Sequence, residues 1–283
     1  MAQTKLKYLY EETYLSDKHF SFGENWKIYL KNLNNKKIKL AEKSLIDFLK
    51  NKDAIKNKTF LDLGCGSGLF SLASINLGAK KVVSVDVDKD SVACAQFLKK
   101  KYCKNNNSWK IIYGSALNDS LLKKLGKFDI IYSWGVLHHT GDMYKAFKNI
   151  DYVAKKGSFI YLAIYNDNRK VLEGKSVFWH KIKKIYNKSG TFVKQLMYQT
   201  YKTYLILGIT TSGKNPAKYI REYETLRGMN FYTDIKDWLG GYPYQYASVE
   251  TLTKYFRNRN YSIEKIIKAR SIGCNELLLK RKK

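Results

Sequence analysis

The chain has 283 residues, 45% hydrophobic and 14% aromatic, which excludes disorder as its main state and accommodates one large domain or a domain with an insertion. Lys and Arg number 52 against 24 Asp and Glu, a formal +28 densest in the last third, yet only seven of them are Arg, the side chain suited to bidentate phosphate contacts. The excess therefore reads first as solvated lysines and second as an RNA-binding surface. No apolar run approaches the roughly 18 residues of a membrane span, and Met1 to Lys7 lacks a leader's apolar stretch, so a soluble, cytoplasmic protein is expected.

Residues 1–57 are expected to be helical, because Ile38, Ala41, Leu45, Ile46 and Leu49 recur at helical spacing between Lys36 and Lys50. Across residues 58–166, five β-branched runs begin at Thr59, Lys81, Lys110, Phe128 and Ser158. Helical patterns at 68–78, 90–102, 118–125 and 143–154 separate them. Strands alternating with helices predict right-handed βαβ units, an α/β doubly wound, mostly parallel, Rossmann-like sheet. Residues 167–247 carry Phe178, Trp179, Tyr186, Tyr198, Tyr201 and Tyr204 among lysines without strand alternation, and read as a mainly helical insertion, at the place where folds of this kind commonly carry a substrate cover. In residues 248–283, Ser248 caps a helix to about Arg257. The runs Tyr261 to Ile267 and Asn275 to Lys280 then form an antiparallel pair completing a seven-stranded sheet.

Chemistry concentrates at the first strand's end, in Asp62-Leu63-Gly64-Cys65-Gly66-Ser67-Gly68. Glycines there permit a tight turn and close backbone approach to a ligand, but a dinucleotide fingerprint would need glycine at Leu69. Asp62 disfavours a pyrophosphate and suits a cation such as an amino-acid ammonium. Asp86, with Val87 beside it, ends the second strand at the distance where a carboxylate accepts both ribose hydroxyls. Cys65 reads as a packing residue; Cys94, Cys103 and Cys274 lie far from it and one another, so neither a disulfide framework nor a zinc site is indicated.

These residues resemble the class I S-adenosylmethionine-dependent methyltransferases. The resemblance implies that Asp62, Gly64, Cys65, Gly66 and Gly68 hold the methionine end of S-adenosylmethionine and that Asp86 holds its ribose. Where the family usually has Gly-Asp-Ala after the third strand, this chain has Gly114-Ser115-Ala116, leaving adenine to the Ser115 hydroxyl, the Ala116 backbone or Asn118.

After the fourth strand, Ser133-Trp134-Gly135-Val136-Leu137-His138-His139-Thr140 should lie over the reactive methyl, since parallel strands open their ligand crevice at their carboxyl ends. The segment resembles the branch typified by ubiquinone-pathway O-methyltransferases, in which Leu-Glu-His follows strand four. His139 is the expected general base and His138, read as facing the other way in an extended segment, the expected structural or substrate contact. Asn-Pro-Pro-Tyr, frequent in amino-methylating relatives, does not occur at Ser133. Tyr242, Tyr244 and Tyr246, around Pro243, would stack on a sugar or ring, or pack the insertion. The expected acceptor is the hydroxyl of a small molecule or glycan. An RNA methyltransferase and a non-catalytic protein of the same fold are the competing readings.

Overall fold

A computed structural model describes residues 22–31, 33–51, 53–103, 107–169, 175–227 and 230–283. The leader reading at Met1 to Lys7, much of the helical segment 1–57, and residues 170–174 and 228–229 of the insertion lie outside the described residues. Two compact units divide the rest, residues 22–176 with 245–283 and residues 177–244.

In the larger unit the β-branched runs become β1 (Thr59–Leu63), β2 (Lys81–Asp86), β3 (Trp109–Tyr113), β4 (Phe128–Trp134) and β5 (Ala154–Tyr165), joined by β6 (Tyr261–Ile267) and β7 (Cys274–Arg281). They form one sheet in the order β3-β2-β1-β4-β5-β7-β6, with β1 to β5 parallel and β7 antiparallel to both its neighbours. Successive side chains alternate between its faces. Leu61, Leu63, Val83, Val85 and Ile131 pack on one side with Phe147, Leu252 and Phe256, while Phe60, Val82, Ile130 and Tyr132 pack on the other with Leu45, Phe48, Leu72 and Leu98. Because strand order runs outward from β1 in one direction and from β4 in the other, the carboxyl ends of β1 and β4 flank a topological switch point, where open α/β sheets bind ligands.

The helices of this unit are α1 (Gly23–Lys31), α2 (Asn35–Leu49), α3 (Leu69–Asn76), α4 (Lys89–Tyr102), α5 (Asp119–Leu125) and α6 (Met143–Ile150), with α11 (Val249–Arg257) before the last strands. In α2, Asn34 accepts the amide of Lys37 as N-cap, and Ile38, Ala41, Leu45 and Phe48 face inward. Phe48 stacks on Tyr161 at 3.4 Å between ring centroids. Burial of a side chain of this size contributes about 1.5–3 kcal/mol. Ser248 caps α11 by accepting the Thr251 amide at 3.1 Å, as its position suggested.

One boundary differs from the sequence reading. The helix expected over 143–154 stops at Ile150, and β5 starts at Ala154, opposite Phe128 of β4. The cause is backbone pairing: the Phe128 amide donates to the Val153 carbonyl at 2.9 Å, and the Ser158 hydroxyl donates to the Phe128 carbonyl at 2.6 Å. Lys155-Lys156-Gly157 is thereby held as strand, with a register shift between Phe128 and Ile130.

The smaller unit is helical: α7 (Ser176–Lys188, entering it at Val177), α8 (Thr191–Thr211), α9 (Pro216–Arg227) and α10 (Phe231–Gly240). Aromatic edges join its helices, with Trp179 5.1 Å from Trp238 and 5.2 Å from Tyr201, and Tyr223 5.2 Å from Phe231. Lys183 is buried here, which is costly for a charge unless it is compensated. Its ammonium donates to the Trp238 carbonyl and lies 4.0 Å over the Trp238 ring. Among the described residues, no helix is long and apolar enough to cross a membrane.

Candidate functional site

The glycine turn leaves β1 at Leu63 and enters α3 after Gly68. Gly64 and Gly66 have φ of 84° and 52°, the left-handed region that side chains rarely adopt. A Cβ on Gly64 would lie 2.2 Å from Val136, and one on Gly66 would lie 2.8 Å from the Trp26 indole. Asp86, half-buried at the end of β2, accepts the Gly66 amide at 2.8 Å and the Asp88 amide at 2.9 Å, so its carboxylate braces the turn from below. Burial pushes its pKa up to about 6, against the opposing pull of these hydrogen bonds.

Asp62 lies deeper, 1% exposed, and accepts the Ser71 hydroxyl at 2.5 Å. Ser71 meets Ser84 at 2.6 Å, and the Trp109 indole donates to Ser84 at 2.7 Å. An indole N–H can only donate, and the Ser71 proton is committed to Asp62, so Ser84 must donate to Ser71. The result is a one-way chain, Trp109 to Ser84 to Ser71 to Asp62, ending on the carboxylate beneath the turn. Burial nevertheless pushes Asp62 up to about 7. Almost none of this carboxylate is exposed, so its influence on an ammonium would be electrostatic rather than the direct grip expected from the sequence.

Beyond β4, Leu137–His139 form a single 3-10 turn rather than the extended segment expected. The His139 amide donates to the Val136 carbonyl at 2.8 Å, which tightens the chain there. His138 is thereby driven inward: it is fully buried, its ring 4.1 Å from Tyr165, and its Nδ1 accepts the Tyr165 amide at 3.4 Å. Of the two roles expected for His138, structural or substrate contact, this enclosure favours the structural one, and a catalytic part for it is set aside because a side chain so enclosed does not reach an acceptor. His139 is half-buried, with Phe22 at 5.1 Å and Tyr165 at 5.4 Å between ring centroids. The contact of Val136 with Gly64 brings the histidine turn against the glycine turn.

Other expected residues separate into those at the crevice and those inside the scaffold. Trp134 stands 46% exposed at the end of β4. Ser133 is corrected: fully buried, its hydroxyl donates to the Leu63 carbonyl at 2.7 Å and ties β4 to β1. Cys65 is buried, and burial pushes its thiol well above the usual range, as suits a packing residue. Val87 is half-buried beside Asp86. After β3 the Ser115 hydroxyl accepts the Leu117 amide at 3.1 Å, Asn118 caps α5, and the Ala116 carbonyl accepts Asn149 at 2.9 Å, so each adenine candidate already has a local partner. Of the two readings for Tyr244, stacking on a ring or packing the insertion, its surroundings favour packing: it is fully buried, 6.2 Å from Trp238 and 5.0 Å from the Lys183 ammonium, so its part in a stacking platform is withdrawn. Tyr242 and Tyr246 are half-buried.

Sequence reasoning missed four contributors. Asp88, in an Asp-Lys-Asp-Ser stretch legible as an N-cap, accepts the amides of Asp90 and Ser91. Ser71 stands out only as a hydroxyl in the apolar helix α3. Gln245 donates its amide to the His138 carbonyl at 2.9 Å and accepts the Met143 amide on Oε1 at 2.8 Å, gripping the histidine turn on both sides. Trp26 on Gly66 had no local signal at all.

A doubly wound sheet whose switch point carries a glycine turn, one buried and one half-buried carboxylate and no dinucleotide fingerprint suits a nucleoside bearing a cationic amino acid. The fit is chemical, since an S-adenosylmethionine ammonium and sulfonium offset the cost of ionising Asp62 and Asp86, whereas a pyrophosphate would raise it. A family model described as a methyltransferase domain matches residues 55–223. The chain belongs to this family and is a class I S-adenosylmethionine-dependent methyltransferase.

Among similar proteins, the ubiquinone biosynthesis O-methyltransferase of Pelagibacter ubique (strain HTCC1062) is 32% identical over 144 residues, 50% of this chain and 57% of that protein. A putative protein N5-glutamine methyltransferase of Methanocaldococcus jannaschii is 40% identical over 91 residues, 32% of this chain and 42% of that one. The matches thus span less than two thirds of either relative. The magnesium protoporphyrin IX methyltransferase of Synechocystis PCC 6803, crystallised with bound SAH, is similar in fold, with a TM-score of 0.50 at 16% identity over 88% of each chain.

Proposed function

We propose that this methyltransferase acts on a hydroxyl group of a small molecule or glycan, with His139 as general base. The observation that carries the reading is the placement of His139 on a turn packed directly against the glycine turn, at the carboxyl ends of β1 and β4. S-adenosylmethionine supplies a methyl on a sulfonium, with a neutral thioether as leaving group. Asp86 accepts the ribose hydroxyls, the glycine turn lets the backbone approach the methionine end, and Asp62 offsets the ammonium through its charge. His139 takes the proton that the acceptor oxygen must lose, a task suited to neutral imidazole near pH 7. Val136, Phe22 and Tyr165 keep water from this side of the crevice and the histidine ring in place.

Two further observations favour oxygen as the acceptor atom. The similar Pelagibacter protein is named as an O-methyltransferase, and the Asn-Pro-Pro-Tyr signature is absent here. Residues 167–247 are assigned to acceptor recognition, with Tyr242 and Tyr246 as contacts. The test is methyl transfer from labelled S-adenosylmethionine to fractionated cell extract, with wild type and His139→Ala compared across pH 6–8. Incorporation into a hydroxyl that survives ribonuclease and is lost in the variant is the expected result; full activity of the variant would remove the base assignment. The formal charge of +28 supports an RNA acceptor as the second reading, for which incorporation would be ribonuclease-sensitive and binding steeply salt-dependent.

A further inference from the structure

Helix α1 takes no part in the family motif and contributes nothing to the sheet, yet it and the residue before it meet both turns of the site. Its start is fixed by Asp88: the Gly23 amide donates to Asp88 Oδ2 at 3.2 Å, while Oδ1 accepts the amides of Asp90 and Ser91 at the start of α4. One carboxylate thus caps two helices, and its charge complements the positive end of each. A Cβ on Gly23 would lie 2.3 Å from Asp88 Oδ1, so only glycine allows this approach. One turn further on, Lys27 pairs with Asp90 at 2.8 Å.

Anchored in this way to the segment that follows Asp86, α1 presents Trp26 to Gly66 and is preceded by Phe22, 5.1 Å from the His139 ring. The Trp26 indole covers the glycine whose amide Asp86 accepts, where the ribose and methionine ends of the ligand converge. We propose that α1 is the outer wall of the cofactor site and that Trp26 contacts the adenosyl ligand directly, its ring face against the ribose and the cationic methionine end. This rests on the S-adenosylmethionine reading. An indole face attracts a cation and shields it from water, which supplements the buried carboxylates from the opposite side of the ligand. Phe22, just before the helix, lies against the histidine proposed as base, so one segment, Phe22 to Lys31, touches both halves of the site.

The test is titration of S-adenosylhomocysteine into wild type, Trp26→Phe and Trp26→Ala, followed by calorimetry and by tryptophan emission. Wild type is expected to give a saturable emission change that is clearly diminished in Trp26→Phe, any remainder coming from Trp134 at the crevice, with affinity kept within about threefold because an aromatic face is retained. Trp26→Ala is expected to bind about tenfold more weakly, a difference of ~1.4 kcal/mol. If Trp26→Ala unfolds, the emission of Trp26→Phe still decides. Undiminished emission change in Trp26→Phe, or wild-type affinity in a folded Trp26→Ala, would overturn the proposal. No binding of S-adenosylhomocysteine by wild type would instead overturn the cofactor reading and this proposal with it.

Discussion

In the α/β unit, strand after strand is buried on both faces, and residues such as Leu61, Leu63, Val85 and Ile131 have no exposed surface. In the helical unit, α8 buries none of its side chains; Phe192 is 82% exposed and Leu207 59%. The first unit is a close-packed frame that holds Asp62, Asp86 and the histidine turn in fixed register. The second is joined by aromatic edges and one buried lysine, and it leaves large apolar side chains exposed on α8. Chemistry that needs alignment to fractions of an ångström belongs on the frame, whereas acceptor recognition, proposed for residues 167–247, makes no such demand. Substitutions in the frame should therefore alter cofactor binding and turnover, and those in the helical unit should alter stability or acceptor choice while leaving cofactor affinity intact.

The largest effect is expected at His139. Replacing it with Ala should lower kcat about 10²–10⁴-fold, the usual worth of a general base, with calorimetric affinity for S-adenosylhomocysteine unchanged. Asp86→Ala removes an acceptor of the Gly66 and Asp88 amides as well as the ribose partner. Since hydrogen bonds to a charged group contribute about 1.5–3 kcal/mol each, affinity should fall about a hundredfold or more.

The pH dependence follows from the same carboxylates. Asp62 and Asp86 are raised to about 7 and about 6, so the folded chain holds their protons above the ordinary carboxylate range, and stability from these groups falls as pH rises from about 4 through 7. A cationic ligand requires the ionised forms. Its binding should therefore release protons near pH 6, detectable as a buffer-dependent heat, and affinity should weaken as pH drops below 6. Equal affinity at pH 5.5 and 8 would sever the carboxylates from binding.

Smaller effects should sharpen the contrast between units. Tyr244→Leu forfeits the contacts with Trp238 and Lys183, about 1 kcal/mol of stability read as a lower Tm, with cofactor affinity preserved. Gln245→Ala keeps the backbone bond to His138 but removes the Oε1 acceptor of the Met143 amide, loosening the histidine turn from one side, and should reduce kcat several-fold while S-adenosylhomocysteine binds normally. A loss of cofactor affinity in the Tyr244 variant would break the comparison.

Much of the frame was legible in advance because local rules and tertiary packing agree there. The run Lys81 to Asp86 is β-branched and ends in a carboxylate, and that is what β2 is. Gly64, Gly66 and Gly68 were legible because positive φ restricts residue type. The end of α6 was misread because the Phe128 amide, a partner distant in sequence, pulls Val153 into strand pairing. Burial of Ser133, His138 and Tyr244 was invisible for the same reason: which face of a turn or strand meets the core depends on what packs against it. Gln245 and Trp26 act on residues far away in the chain, so no spacing rule could have linked them to the site.

The central claim is an adenosyl amino acid seated between the glycine turn and Asp86. Calorimetric titration of wild type and Asp86→Ala with S-adenosylhomocysteine, and of wild type with a nicotinamide dinucleotide, tests it most directly. One S-adenosylhomocysteine bound per wild-type chain, much weakened in the variant, with no dinucleotide binding, is the predicted result. Preference for the dinucleotide, or equal S-adenosylhomocysteine affinity in both proteins, would contradict it.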